Sequence, residues 1–160
     1  AIEGRPINLY GSQEGDLRTT FTDTVRVTAQ DGPIIYFYDL NFEGSREEIG
    51  ISASARFWAE NCSFTGWKTG VLGYGSSWIN VIACQFTDNG IGFHFNSDGE
   101  YMSHSMFNDN TFLKNDTAVL LERVPTDVIM NFQGSHFSQN GVDIDNRCSQ
   151  PLDISQAIFD

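Results

Sequence analysis

Apolar and polar residues alternate in short runs along this chain, for example from Ile34 to Phe42, Phe57 to Phe64 and Ile91 to Phe95. A period of two predicts strands with one buried face, and no segment carries the 3.6-residue period of an amphipathic helix. Between the runs lie turns rich in Asn, Gly, Asp and Ser, which tolerate left-handed backbone angles. After the turns, strands are expected to restart at Val25, Ile51, Val71, Ile91, Val119 and Val142.

The runs repeat. Phe42, Phe64, Phe86, Phe112, Phe137 and Phe159 are spaced by 22, 22, 26, 25 and 22 residues, and Phe21 lies 21 residues further upstream. Asn89, Asn115 and Asn140 each follow a phenylalanine by three positions and open a turn. A period of about 22 residues is too short for paired helices, and the chain lacks the spaced leucines of a leucine-rich repeat. Short strands at this period form coils that cannot bury an apolar face alone. They therefore stack about 4.8 Å apart on a shared core. The expected fold is all-β: a single-stranded parallel β-helix, or β-solenoid, of about seven coils.

Stacking predicts columns. The phenylalanines should form an internal aromatic stack, and Asn89, Asn115 and Asn140 a hydrogen-bonded amide ladder. Two residues before each Phe stand Leu40, Cys62, Cys84, Asn110, Ser135 and Ala157, which suit an inward corner. Three cysteines (Cys62, Cys84, Cys148) without CxxC spacing exclude a full disulfide framework. Cys62 and Cys84 fall on adjacent coils, where a bridge is sterically conceivable and stacked free thiols are the favoured reading.

The units Phe86-Thr87-Asp88-Asn89-Gly90-Ile91 and Phe137-Ser138-Gln139-Asn140-Gly141-Val142 resemble the right-handed parallel β-helix repeat. Pectate lyases, polygalacturonases, alginate epimerases, phage tailspikes and many bacterial surface proteins share that repeat. The resemblance covers residues 6–160 and implies a right-handed solenoid. It is nearly silent on chemistry, because unrelated activities use the same fold.

Outward positions, read from the alternation, place Tyr74, His94, Glu122 and Asp145 in one row, with Asp143 in the neighbouring one. Two longer coils, at residues 96–100 and 123–127, insert at the same corner above that row, where solenoids commonly build the rim of a binding face. Glu122 and Asp145 on adjacent rungs would raise each other's pKa and approach the carboxylate separation of a retaining glycosidase. His94 beside them would act as base or donor. Glu122, Asp143 and Asp145 are also candidate ligands for a divalent cation, with Ca²⁺ the expected ion. The same row is equally what an acidic solenoid places on any outward face. Trp58, Trp67, Tyr74, Trp78 and Tyr101 are candidates for stacking on sugars, with core burial the commoner fate of an aromatic. His104 and His136 read as ordinary polar positions.

Composition narrows the partners. Nine Lys and Arg stand against 21 Asp and Glu, a formal charge of −12. That argues against nucleic acid and against docking on an anionic membrane. No apolar run is long enough to insert through a bilayer. The arginine-rich motif of lyases, the Asp-Pro-His-Glu element of alginate epimerases and the Gly-His-Gly and Asn-Thr-Asp elements of polygalacturonases are all missing. Lys68 and Lys114 are the sole lysines. Seven coils make a rod only about 30 Å long, small for the clefts of those enzymes.

The reading adopted is an extracellular or cell-surface module, glycan-binding or structural and without catalysis. The alternatives are a carbohydrate-active lyase, epimerase or glycosidase using Tyr74, His94, Glu122 and Asp145, and an oligomeric fibre or tailspike segment. Residues 1–5 contain a factor Xa recognition string and read as either a cleavage remnant or native lead-in. A core-type Phe159 next to the last residue leads to the expectation that residues 6–160 belong to a longer chain. Flanking domains or self-association would then cover the coil ends.

Overall fold

The computed structural model describes residues 7–12, 18–28, 34–98, 106–125 and 129–160. The first coil holds β1 (Asn8–Tyr10), β2 (Thr20–Phe21) and β3 (Val25–Val27), and the second β4 (Ile35–Tyr38), β5 (Asn41–Glu43) and β6 (Ile49–Ala53). The third holds β7 (Phe57–Glu60), β8 (Ser63–Thr65) and β9 (Thr69–Gly75), and the fourth β10 (Ile79–Ile82), β11 (Gln85–Thr87) and β12 (Ile91–Ser97). Next come β13 (Thr111–Leu113) and β14 (Thr117–Arg123), then β15 (Met130–Asn131), β16 (His136–Ser138) and β17 (Val142–Asn146). β18 (Leu152–Asp153) and β19 (Ile158–Phe159) begin a further coil.

Every strand pairs in parallel with its equivalent one coil away. A four-stranded sheet runs β1-β4-β7-β10, a seven-stranded sheet runs from β2 to β19, and a six-stranded sheet runs from β3 to β17. β15 and β18 pair separately. The chain winds about six turns, not seven. Seven phenylalanines count the rungs of the seven-stranded sheet, whereas the six-stranded sheet has one rung fewer because the last coil is partial.

The core is built by like on like. The seven rings from Phe21 to Phe159 stack with neighbouring centroids 4.7 to 5.3 Å apart. Five of them, from Phe42 to Phe137, are essentially fully buried. The amide ladder is present as well. Asn89 Nδ2 donates to Asn115 Oδ1 at 2.9 Å, and Asn115 Nδ2 donates to Asn140 Oδ1 at 3.0 Å. Each Asn side chain also donates to the backbone carbonyl of a phenylalanine one coil back: Phe64, Phe86 and Phe112. The buried amides are thus satisfied on both sides, which is what makes their burial tolerable.

At the N-terminal end the ladder stops at Trp67, whose backbone N–H donates to Asn89 Oδ1 at 2.8 Å. The indole fills the space over Gly44 and Gly50, where any Cβ would meet the ring. On the inward corner, Leu40, Cys62, Cys84, Asn110 and Ser135 are all buried. Asn110 is held there by accepting from Cys84 N and donating to the carbonyls of Val81 and Phe107.

The phenylalanines from Phe64 to Phe137 are flanked on both sides by turns that need a left-handed residue, and Phe42 and Phe159 on the preceding side. Three positions before the phenylalanine come Asp39, Asn61, Ala83, Asp109, Gly134 and Gln156, all with φ between 51° and 70°. Two positions after it come Gly66, Asp88, Lys114 and Gln139, with φ between 54° and 71°. Most of the first column is Asn, Asp or Gly, the residues that adopt this region at least cost. Ala83 is not.

Two stability predictions follow from these columns. Ala83→Gly relieves a left-handed alanine and should stabilise the chain by about 0.5–1 kcal/mol, net of the entropy glycine gains when unfolded. Asn115→Ala strips partners from Asn89 and Asn140 inside the core and should cost about 2–4 kcal/mol. Urea unfolding followed by circular dichroism measures both.

Candidate functional site

Backbone pairing on the six-stranded sheet sets Arg26, Ser52, Leu72, His94, Leu120 and Asp145 in one column. Tyr74 lies opposite Asn96, not His94. The expected row of Tyr74, His94, Glu122 and Asp145 is therefore corrected: it mixes two columns. Val71 and Val119 follow the ladder position by four residues, but Ile91 and Val142 follow it by two. A slip of two leaves every side chain on the same face, so alternation cannot detect it. In true register Val71 pairs with Phe93, and Val119 with Ile144.

A bulge then brings part of the row back together. Between β12 and β14 the register shifts after Phe95, so that Phe95 faces Leu121 and Asn96 faces Arg123. Glu122 is the extra residue, and bulges of this kind re-aim a side chain. Its Oε2 lies 2.9 Å from His94 Nε2 and accepts from Asn96 Nδ2 at 2.8 Å. Arg123 Nε donates to Asn96 Oδ1 at 2.7 Å, and its Nη1 stands 3.3 Å from Asp98 Oδ2. The result is a connected polar network, His94–Glu122–Asn96–Arg123–Asp98, with the exposed ring of Tyr74 on the adjoining rung. Asn96, Asp98 and Arg123 belong to the two corner insertions expected to rim a binding face, although none is a named site candidate there. What joins them to Glu122 is the bulge, which a single sequence does not mark.

The other two carboxylates lie elsewhere. Asp145 faces Leu120 and is held by Arg147, at 2.9 Å from Nε and 2.8 Å from Nη2. Asp143 continues the line of Gly92 and Ala118 and accepts from Asn140 Nδ2 at 3.0 Å. Glu122, Asp143 and Asp145 thus have separate partners and do not converge. Among the described residues no group of three His, Cys, Asp or Glu side chains is arranged to hold a metal ion.

The aromatic candidates divide. Trp67 is buried in the core and Trp78 packs partly buried against it. Tyr101 and His104 lie outside the described residues, as do parts of both corner insertions. His136 pairs with Asp160. Trp58 is half-buried on the outer face of the four-stranded sheet and donates from Nε1 to Glu60 Oε2 at 3.0 Å. It lies 6.2 Å from Tyr36, which is 5.9 Å from Tyr38, and Tyr38 stacks on Tyr10 at 5.0 Å. The three tyrosines were missed, although the period-two spacing of Tyr36 and Tyr38 marks them as outward. Tyr36 and Tyr38 are covered in part by their stacked neighbours, whereas Tyr10 at the end of the stack is exposed.

Cys62 and Cys84 are free, buried thiols. Each lies close to backbone carbonyls, Cys62 near Phe37 and Glu60, and Cys84 near Ala59 and Ile82. Burial pushes the Cys84 thiol well above its ordinary value. It is an inert core residue at neutral pH.

A family model described as the right-handed β-helix region matches residues 9–156. No curated protein and no solved structure matches the chain.

Burial, and secondarily the Glu60 carboxylate, raises the pKa of Tyr38 above the ordinary tyrosine value of 10.0. A proton held more tightly in the folded state stabilises the fold below pH 10, and that contribution is lost as pH rises through the folded pKa. Tyrosinate absorbance should show Tyr38 ionising later than a free tyrosine. Glu60→Gln should bring it part of the way back and leave the burial effect.

Proposed function

We propose, for a chain that belongs to the right-handed β-helix family, that it is a non-catalytic glycan-binding module acting outside the cell or at its surface. A right-handed β-helix supports a structural or carbohydrate-related role. The finer reading rests on one observation: the exposed Tyr74 ring beside the connected network of His94, Glu122, Asn96, Arg123 and Asp98. Sugars are bound by an apolar ring face together with planar side chains already fixed by hydrogen bonds to one another. Here the partners hold each other in place before any ligand arrives, which lowers the ordering cost of binding.

The surroundings favour binding over turnover. His94 and Glu122 touch, but the second carboxylate that a glycosidase needs is neutralised by Arg147 at Asp145.

On a glycan array the chain should bind at least one saccharide class, and Tyr74→Ala should weaken that binding about tenfold without lowering the melting temperature. Silence across the array overturns the proposal. Reducing-end and unsaturated-uronate assays should show no turnover with or without Ca²⁺. Turnover that disappears in Glu122→Gln would replace binding with catalysis.

A further inference from the structure

The outer face of the four-stranded sheet carries four rings that the proposed glycan site does not use. Parallel pairing sets Tyr10 beside Tyr38, and Tyr36 beside Trp58. Tyr36 and Tyr38 share one side of β4 because strand side chains alternate with a period of two. The rings run Trp58, Tyr36, Tyr38, Tyr10, with successive centroids 6.2, 5.9 and 5.0 Å apart. Every step lies within the range of direct aromatic contact. Three of the chain's five tyrosines thus join one array, whereas Tyr74 lies on the six-stranded sheet.

The array is ordered chemically as well as in space. Indoles and phenols are among the side chains most readily oxidised by one electron. An indole gives up that electron more easily when its N–H proton can leave at the same time. Trp58 Nε1 donates to Glu60 Oε2 at 3.0 Å, so a carboxylate is already in place to take the proton. The other two tryptophans lack such an acceptor: the indole nitrogens of Trp67 and Trp78 are buried without a hydrogen-bond partner. A neutral indolyl radical in turn oxidises a phenol at neutral pH, which gives the array a direction, from Trp58 toward the tyrosines. At the far end Tyr10 is exposed and lies over Tyr38 with the ring planes 10° apart.

We infer that this face is an oxidative modification site, in which one-electron oxidation enters at Trp58, passes through Tyr36 and ends as a carbon–carbon bond between Tyr10 and Tyr38. The co-substrate is hydrogen peroxide activated by a haem peroxidase, which removes two electrons in single steps. In each step Trp58 loses an electron and its indole proton moves to Glu60. Tyr36 then supplies an electron to the indole, Glu60 returns the proton, and the phenol releases its own proton to water. Passage along the tyrosines leaves one phenoxyl radical on Tyr10 and, after the second step, another on Tyr38. The two radicals couple at ring carbons beside their oxygens. The hydrogens on those carbons move to the oxygens and restore both phenols, while the peroxide takes up two electrons and two protons to become two waters. The bond staples the first coil to the second, since Tyr10 lies on β1 and Tyr38 on β4.

Two measurements on the whole chain test this. Azide radicals, which oxidise tryptophan selectively, are generated by pulse radiolysis while absorbance is followed. The tryptophyl band should decay as the tyrosyl band grows, at a rate independent of protein concentration. Trp58→Phe and Tyr36→Phe should each remove most of that transfer, with circular dichroism as the folding control. Transfer that survives either substitution overturns the inference. Treatment with a haem peroxidase and hydrogen peroxide should then give dityrosine fluorescence in the monomer fraction. Mass spectrometry should place the bond between the peptides carrying Tyr10 and Tyr38, and the treated monomer should melt at a higher temperature because the link restricts the unfolded chain. Tyr10→Phe should abolish both the bond and the rise in melting temperature. Dityrosine confined to dimers, dityrosine formed through Tyr74, or none at all overturns the inference and leaves glycan binding untouched.

Discussion

Strands hydrogen-bonded in parallel about 4.8 Å apart set each residue beside the one that holds the same position a coil later. Everything in this molecule answers to that spacing. Aromatic rings can stack at it, and six successive phenylalanine pairs do. Amides can hydrogen-bond across it, and Asn89, Asn115 and Asn140 do. Isolated charges cannot be repeated at it without repulsion. The core is consequently repetitive in chemistry as well as in shape, and the left-handed turn residues recur in step with the phenylalanines because the corner recurs.

On the outside the same spacing works in reverse. The column from Arg26 to Asp145 places no two like charges on adjacent rungs. Where carboxylates come near one another, a cation spans them, as Arg46 does between Asp88 and Asp116. Acidity that looked concentrated at Glu122, Asp143 and Asp145 is in fact divided among His94, Asn140 and Arg147. A polar network survives where a bulge breaks the strict repeat and turns Glu122 toward its neighbours. Irregularity, not the repeat, makes the surface chemically distinctive.

These two faces differ in how far the sequence discloses them. The phenylalanine stack, the asparagine ladder and the inward corner through Ser135 could be read because each column repeats one residue type or size. Repetition is then its own proof of register. The outward columns carry no such mark: Ser52, Leu72, His94, Leu120 and Asp145 have nothing in common. Alternation fixes which face a residue takes but is blind to a slip of two, and so His94 was set beside Tyr74 when it belongs beside Leu72. The pairing of His94 with Glu122 was anticipated for a reason that proved different, since the bulge and not the column joins them.

Trp67 has a bearing on more than local packing. A stack of near-identical coils is degenerate: any coil could dock on the wrong neighbour, or on the equivalent coil of another copy, with most of its ladder contacts preserved. The indole occupies the ladder position on one coil only, and fits only over the two glycines at 44 and 50. Together with the unequal steps between phenylalanines, it gives the array an address. A coil that arrives out of sequence finds either a tryptophan with no room or a gap where the tryptophan should be. One large side chain thus does for this solenoid what a keyed tooth does for a zip: it makes the correct alignment the single one that closes.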